Sequence, residues 1–285
     1  MPSSSVVHVL SMFRNNENYL LEVYIPRMTR CEERNPHIEF VYHIIENDST
    51  DNTRNILWNF IGLRNDRSML HLEKPLECEY VNKPSGKNYS RITVLANIRN
   101  TLVDRALSTM KKDEWALFID SNIHFNEDTL DRLLECDPLK HGYGALIPYT
   151  QQLLIPHIHP VKHPCLKSHY YDTYSLYNKE WQSYWPYCGF TKCEICDPMS
   201  HPLRKPIPAP IEAHEITEIA SGFSGYCLIL TDILMDKRCR WSTMNYDCIG
   251  DEGTCEHAMF FKLLRVLTNY KVGIAQNVDN VYRTY

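Results

Sequence analysis

Short apolar runs, each ending in a polar cluster and each followed by a helical pattern, recur through the first 125 residues, and this alternation is what most constrains the fold. Val6 to Met12 reads as a strand, and Glu17 to Met28 as a helix whose apolar positions are Tyr19, Leu20, Leu21, Val23 and Tyr24. Phe40 to Ile45 is a second strand. It stops at Glu46-Asn47-Asp48-Ser49, and the polar cluster caps a helix from Thr53 to Leu63. A short strand at Met69 to Leu72, a polar loop through Lys83-Pro84-Ser85-Gly86-Lys87, a long helix from Arg91 to Thr109 and a strand from Trp115 to Ile119 follow. Asn126 to Glu135 then reads as helix and Tyr143 to Pro148 as strand. Such alternation predicts an α/β fold with a parallel sheet flanked by helices, right-handed crossovers and ligands at the carboxyl ends of its strands.

The pattern breaks at Gln151. From there to about Ile216 the chain is dense in Pro, His, Tyr, Trp and Cys without a period of 2 or 3.6, which reads as an irregular, substrate-facing insertion. Regularity returns with a strand at Tyr226 to Leu230, a helix from Glu256 to Thr268 and a strand at Val272 to Ala275. With 285 residues, no internal repeat and no low-complexity linker, the expectation is one domain over residues 1–285. Its two halves would be 1–125, whose strand ends open the ligand crevice, and 126–285, which carries the insertion.

Composition excludes several classes. A hydrophobic content of 44% fills a core, and 30 Lys plus Arg against 35 Asp plus Glu leaves no basic surplus for nucleic acid. No run of about 18 apolar residues marks a membrane span, and Met1 to Met12 lacks the basic start of a secretory signal. With an odd count of 11 Cys, reduced thiols and a soluble, cytoplasmic setting are expected, although a chain trimmed of its anchor would read the same. None of the 10 Gly forms a glycine-rich phosphate cradle.

Two polar clusters follow apolar strands where such a sheet opens its crevice. Glu46 to Thr53 offers carboxylates to a base or ribose, against a simpler role as a helix-capping turn. Asp120-Ser121-Asn122 offers hard oxygen donors that hold a divalent cation against a diphosphate, with one carboxylate fewer than an Asp-x-Asp pair. Arg99 lies on the apolar stripe of Ile92, Leu95, Ala96, Leu102, Val103 and Ala106, and a buried guanidinium requires an anion: a ligand diphosphate or a strand-end carboxylate. Lys87 and Arg91, just before that stripe, are further phosphate candidates. Glu256 shares a helix face with Phe260, Leu263 and Leu267 and is a candidate general base, with Asp251 and Glu252 as substitutes. Cys188, Cys193, Cys196 and His201, at x4, x2 and x4 spacings, are a candidate Cys3His zinc site; bystander thiols are the alternative.

The order of these parts resembles a GT-A glycosyltransferase, which implies a Rossmann-like mixed, mostly parallel sheet flanked by helices, with a nucleotide-sugar-binding half over 1–125 and an acceptor-binding half over 126–285. In Glu46-Asn47-Asp48-Ser49-Thr50-Asp51, Arg91-Ile92, Leu95-Ala96, Arg99-Asn100 and Tyr171-Asp172-Thr173 the chain is similar to the fungal capsule-associated α-mannosyltransferase family, over roughly residues 40–175. The resemblance implies transfer of a sugar, mannose or xylose, from a GDP- or UDP-linked donor to a glycan hydroxyl with Mn2+ or Mg2+. It implies Glu46 and Asp48 near the nucleotide, Lys87 and Arg99 near phosphate, Asp120 and Asn122 at the metal, and Asp172, Ser221 and Gly222 on the acceptor side. Asn122 departs from the family, many members of which carry Asp there, and the usual N-terminal anchor is lacking, so the chain resembles a soluble relative of the kind large algal viruses encode. Two rivals remain at this point: a sugar nucleotidyltransferase, and a non-catalytic glycan-binding protein on a degenerate transferase fold.

Overall fold

A computed structural model describes residues 6–73, 89–153, 168–170, 175–181, 216–242, 255–275 and 281–283. The strands read from the first half form its centre. β1 (Val6–Phe13), β2 (Glu39–Asn47), β3 (Met69–Glu73) and β4 (Trp115–Asp120) run parallel in the order β3-β2-β1-β4. The runs of β1, β2 and β4 are mostly apolar because both faces are covered: Val7, Val9, Leu10, Val41, Ile44, Ile45 and Trp115 to Ile119 are all buried, whereas the edge strand β3 is partly exposed.

The second half extends the same sheet through β10 (Tyr226–Leu230), β5 (Tyr143–Pro148), β11 (Lys271–Ala275), β9 (Ile216–Ser221) and β8 (Tyr177–Asn178). β10 lies antiparallel between β4 and β5, β11 is parallel to β5, and β9 is antiparallel to β11 and β8. Of the nine strands, then, all but β9 and β10 point one way, the expected mixed, mostly parallel α/β sheet. A small second sheet joins β12 (Val281–Arg283), β6 (Thr150–Leu153) and β7 (Ser168–Tyr170). β6, β7 and β8 occupy parts of the stretch expected to be irregular; at two to four residues each they are too short to show a period.

Helices flank the sheet: α3 (Thr53–Gly62), α4 (Tyr89–Ala106), α5 (Thr129–Glu135), α6 (Thr231–Met235) and α7 (Glu256–Leu267). α5 begins three residues later than expected, after a turn in which the Thr129 N–H bonds the Asn126 carbonyl. The first helix is interrupted. α1 (Glu17–Tyr19) runs into a π-helical turn (Leu20–Tyr24) before α2 (Ile25–Arg34), and Pro26 lacks the N–H that an unbroken α-ladder would use there. No described helix is long and apolar enough to cross a membrane. Among the described residues, Cys31, Cys136, Cys227, Cys239 and Cys255 are buried thiols outside any disulfide.

One polar network lies inside the sheet. His8 Nε2 donates to Glu114 Oε2 at 2.8 Å, so its Nδ1 accepts from His43 Nε2 at 3.2 Å. The His43 Nδ1 lone pair is then buried without a partner among the described residues.

Candidate active site

The parallel register brings the two predicted clusters together. Phe13, at the end of β1, pairs with Glu46, and Met12 pairs with Asp120, so these carboxylates flank the carboxyl end of β1. Glu46 is fully buried and both its oxygens are used: Ser49 N–H donates at 2.6 Å and Arg54 Nε at 2.9 Å. It shapes the loop. Asp48 is half exposed in a left-handed conformation that Asp tolerates, with Arg54 Nη2 3.8 Å away. That loop is laced to the β1–α1 loop: Asn15 N donates to Ser49 Oγ, Asn16 N to Thr53 Oγ1, Glu17 N to Asp51 Oδ2, Thr50 N to Asn15 Oδ1 and Asn52 N to Glu17 Oε2. Asn15 and Asn16 escaped the sequence reading because a pair of Asn after a strand looks like any turn.

Arg99 sits at the centre, 3% exposed, and its partners are the strand-end carboxylate and the helix-start carboxylate. Nη1 donates to Glu256 Oε1 at 2.6 Å and Nη2 to Asp120 Oδ1 at 3.2 Å. Burial alone would favour the neutral guanidine, but Asp120 and Glu256 outweigh it and raise the pKa of Arg99 above its ordinary value. Of the expected stripe on α4, Ala96, Leu102, Val103 and Ala106 are buried with Arg99, while Ile92 and Leu95 are half-buried. One side chain thus ties the end of β4, the middle of α4 and the start of α7 together. Glu256 is 5% exposed, and the Cys255 thiol lies 3.6 Å from its other oxygen.

Cys255, Glu256 and His257 present ligand atoms within 4.8 Å of one another, yet this set does not suit a metal. The Trp241 indole N–H, which can only donate, bonds His257 Nδ1 at 3.1 Å, so the neutral ring carries its proton on Nε2. That edge faces Glu256 Oε1 at 3.5 Å and has no lone pair to give. Burial, then the Arg99 charge, hold the pKa of His257 well below its ordinary value. Nitrogen-15 NMR should accordingly find His257 neutral with the Nε2–H tautomer from about pH 5 to 8. An imidazolium signal in that range would contradict the arrangement. Phe223 completes the wall, its ring stacked on His257 at 3.9 Å with the Arg99 guanidinium 5.0 Å from its centroid. Only the third structural level shows these partners, since Phe223 and Trp241 are distant in sequence from Arg99.

Asp120 keeps 26% of its side chain exposed at the strand end, and Asn122 is partly exposed two residues later. A carboxylate and an amide carbonyl on one loop are the hard donors that a Mg2+- or Mn2+-type ion takes, so these residues suit the divalent cation that the resemblance implies. Ser221 and Gly222 lie in the interior: the Ser221 hydroxyl donates to the Ser175 carbonyl at 2.7 Å, and a Cβ at Gly222 would press on Ile147 at 2.8 Å. They support Phe223. The turn continues through Ser224 and Gly225, both at positive φ, and the Gly225 carbonyl accepts from Asp120 N–H at 2.8 Å. Arg91 stands on the first turn of α4. Lys87, Asp172, Asp251, Glu252, Cys188, Cys193, Cys196 and His201 lie outside the described residues.

No protein-family model and no curated protein matches the sequence. Among solved structures the chain is similar to S. aureus TarS 1-349 in complex with UDP, at 12% identity and a TM-score of 0.49 over 98% of this chain and 60% of that one. It is also similar to GalNAc-T7 with UDP, GalNAc and Mn2+ (10% identity, TM-score 0.48, 98% of this chain and 43% of that one). The mannosyltransferase Ktr4p from S. cerevisiae in complex with GDP matches at 12% identity and a TM-score of 0.34, over 94% and 62% of the two chains. The chain therefore spans less than two thirds of the length of each of these structures.

Proposed function

We propose that this chain is a glycosyltransferase that moves a sugar, mannose or xylose, from a nucleoside diphosphate sugar to a glycan hydroxyl with the help of a divalent cation. The observation that carries the reading is Asp120, held at the carboxyl edge of the parallel strands by a buried Arg99 that also grips Glu256. Asp120 and Asn122 would hold the divalent cation, which when bound would supply charge neutralisation for a departing diphosphate. Arg99 holds Asp120 in place through its Nη2 contact, and the laced β1 and β2 loops form the adjoining floor on which a nucleoside lies. Glu256 serves by fixing Arg99. A retaining transfer asks no base of the protein, whereas an inverting one draws it from Asp251 or Glu252.

The test incubates the chain with a panel of nucleoside diphosphate sugars, with and without Mn2+, followed by proton NMR. Slow cleavage of one donor is expected, because water replaces a missing acceptor, and the first-formed anomer reports the stereochemistry. Asp120→Ala should lose roughly 100-fold or more, since a cation at the leaving group contributes several kcal/mol. Undiminished cleavage by that variant, or cleavage of none of the donors even with glycan acceptors present, would overturn the proposal.

A further inference from the structure

Asp120 and Asn122 can serve a cation only if the short loop that carries them holds one shape. Its backbone carbonyls are gripped from outside. The Tyr19 hydroxyl donates to the Ile123 carbonyl at 2.6 Å and lies 3.4 Å from that of Asp120, so one oxygen bridges the two ends of the loop. Asn16 Nδ2 reaches the Ser121 carbonyl between them at 3.4 Å, and Asn16 is itself fixed by Thr53. The segment after β1 thus serves as a template for the loop after β4.

The π-helical turn makes this possible. Residues five apart on an unbroken α-helix point about 140° away from each other. Yet Tyr19 and Tyr24 here bring their rings to 6.4 Å, with the Tyr24 hydroxyl bonded to Ser11 on β1 and the Tyr19 hydroxyl bonded to the loop. The wider turn lets one short helix brace both strand ends.

We propose that Tyr19 is a positioning residue that sets the Asp120-Ser121-Asn122 loop for its cation, acting through the loop's backbone without touching metal or substrate. The inference rests on the metal-assisted reading above. It is tested by titrating Mn2+ into the full chain, alone and with UDP or GDP, and counting free Mn2+ by electron paramagnetic resonance. Tyr19→Phe keeps the ring and removes the bridge. Its Mn2+ dissociation constant should rise roughly 10- to 100-fold, the usual effect of losing a group that orients metal ligands. Tyr24→Phe deletes the neighbouring buried hydroxyl, which does not touch the loop, and should bind Mn2+ as the unaltered chain does. Melting temperatures of both variants separate loop geometry from general loosening. Equal binding by Tyr19→Phe and the unaltered chain, or equal weakening in both variants, would overturn the role of Tyr19 alone. If the unaltered chain takes up no Mn2+ with either nucleotide, the metal-assisted reading falls and this inference falls with it.

Discussion

Replacing Arg99 by methionine is expected to destabilise the protein by about 3–5 kcal/mol, the cost of breaking a buried ion pair from one side. The guanidinium is 3% exposed and answers two carboxylates. Without it Glu256, itself 5% exposed, would be left buried with no guanidinium in contact, and Asp120 would lose the group that aims it. At roughly 2–4 °C per kcal/mol for a chain of this size, the melting temperature should fall by about 10 °C. The double variant Arg99→Met with Glu256→Gln should recover a large part of that loss, because no uncompensated buried charge remains, while donor cleavage should stay lost. Additive losses in the two single variants would mean that the pair does not couple, and the Arg99 bridge would have to be abandoned as the organising contact.

The second large effect is acid lability arising in the histidine network of the sheet. Burial, then the neighbouring His8, His71 and Arg67, lower the pKa of His43 from 6.5 to about 3. His8 and His71 shift in the same direction, burial being the first cause in each and the Glu114 bond opposing it at His8. A histidine whose folded pKa is depressed contributes stability in full above its unfolded pKa, and that contribution is lost as pH falls through 6.5 toward the folded value. The His43 contribution alone should therefore decline by about 2 kcal/mol between pH 6.5 and pH 5, and by about 4 kcal/mol by pH 3. Urea unfolding at a series of pH values measures it. His43→Gln supplies an amide N–H where Nε2 donates to His8 but does not titrate, so its profile should be flatter below pH 6.5. Parallel profiles would show that His43 is not the sensitive group.

Much of this architecture was legible in the residues. Periodicity located β1, β2, β4, β5 and β10 to within two residues, because continuous apolar runs bounded by polar clusters have few other readings. The apolar stripe on α4 already required an anion for Arg99, and a strand-end carboxylate, Asp120, is one of the two it has. Other features stayed hidden for reasons that are equally physical. Strand direction leaves no trace in an apolar run, so the antiparallel β10 between β4 and β5 could not be read. Strands of two to four residues carry too few positions for a period, which is why β6, β7 and β8 were missed.

By itself, then, the sequence determined the longer central strands and the flanking helices α3, α4, α5 and α7, that Arg99 and Glu256 carry charge into the interior, and that polar clusters stand at strand ends, since these follow from local chemistry and spacing. Only the tertiary structure decided who meets whom. The pairing of Arg99 with Glu256 spans 157 positions, and the tautomer of His257 depends on an indole 16 residues away. The hold of Tyr19 on a loop 104 residues distant depends on the register of β1 against β4 and on the width of one helical turn. Contacts of that kind are set by packing and sheet order, and no window along the chain contains both partners.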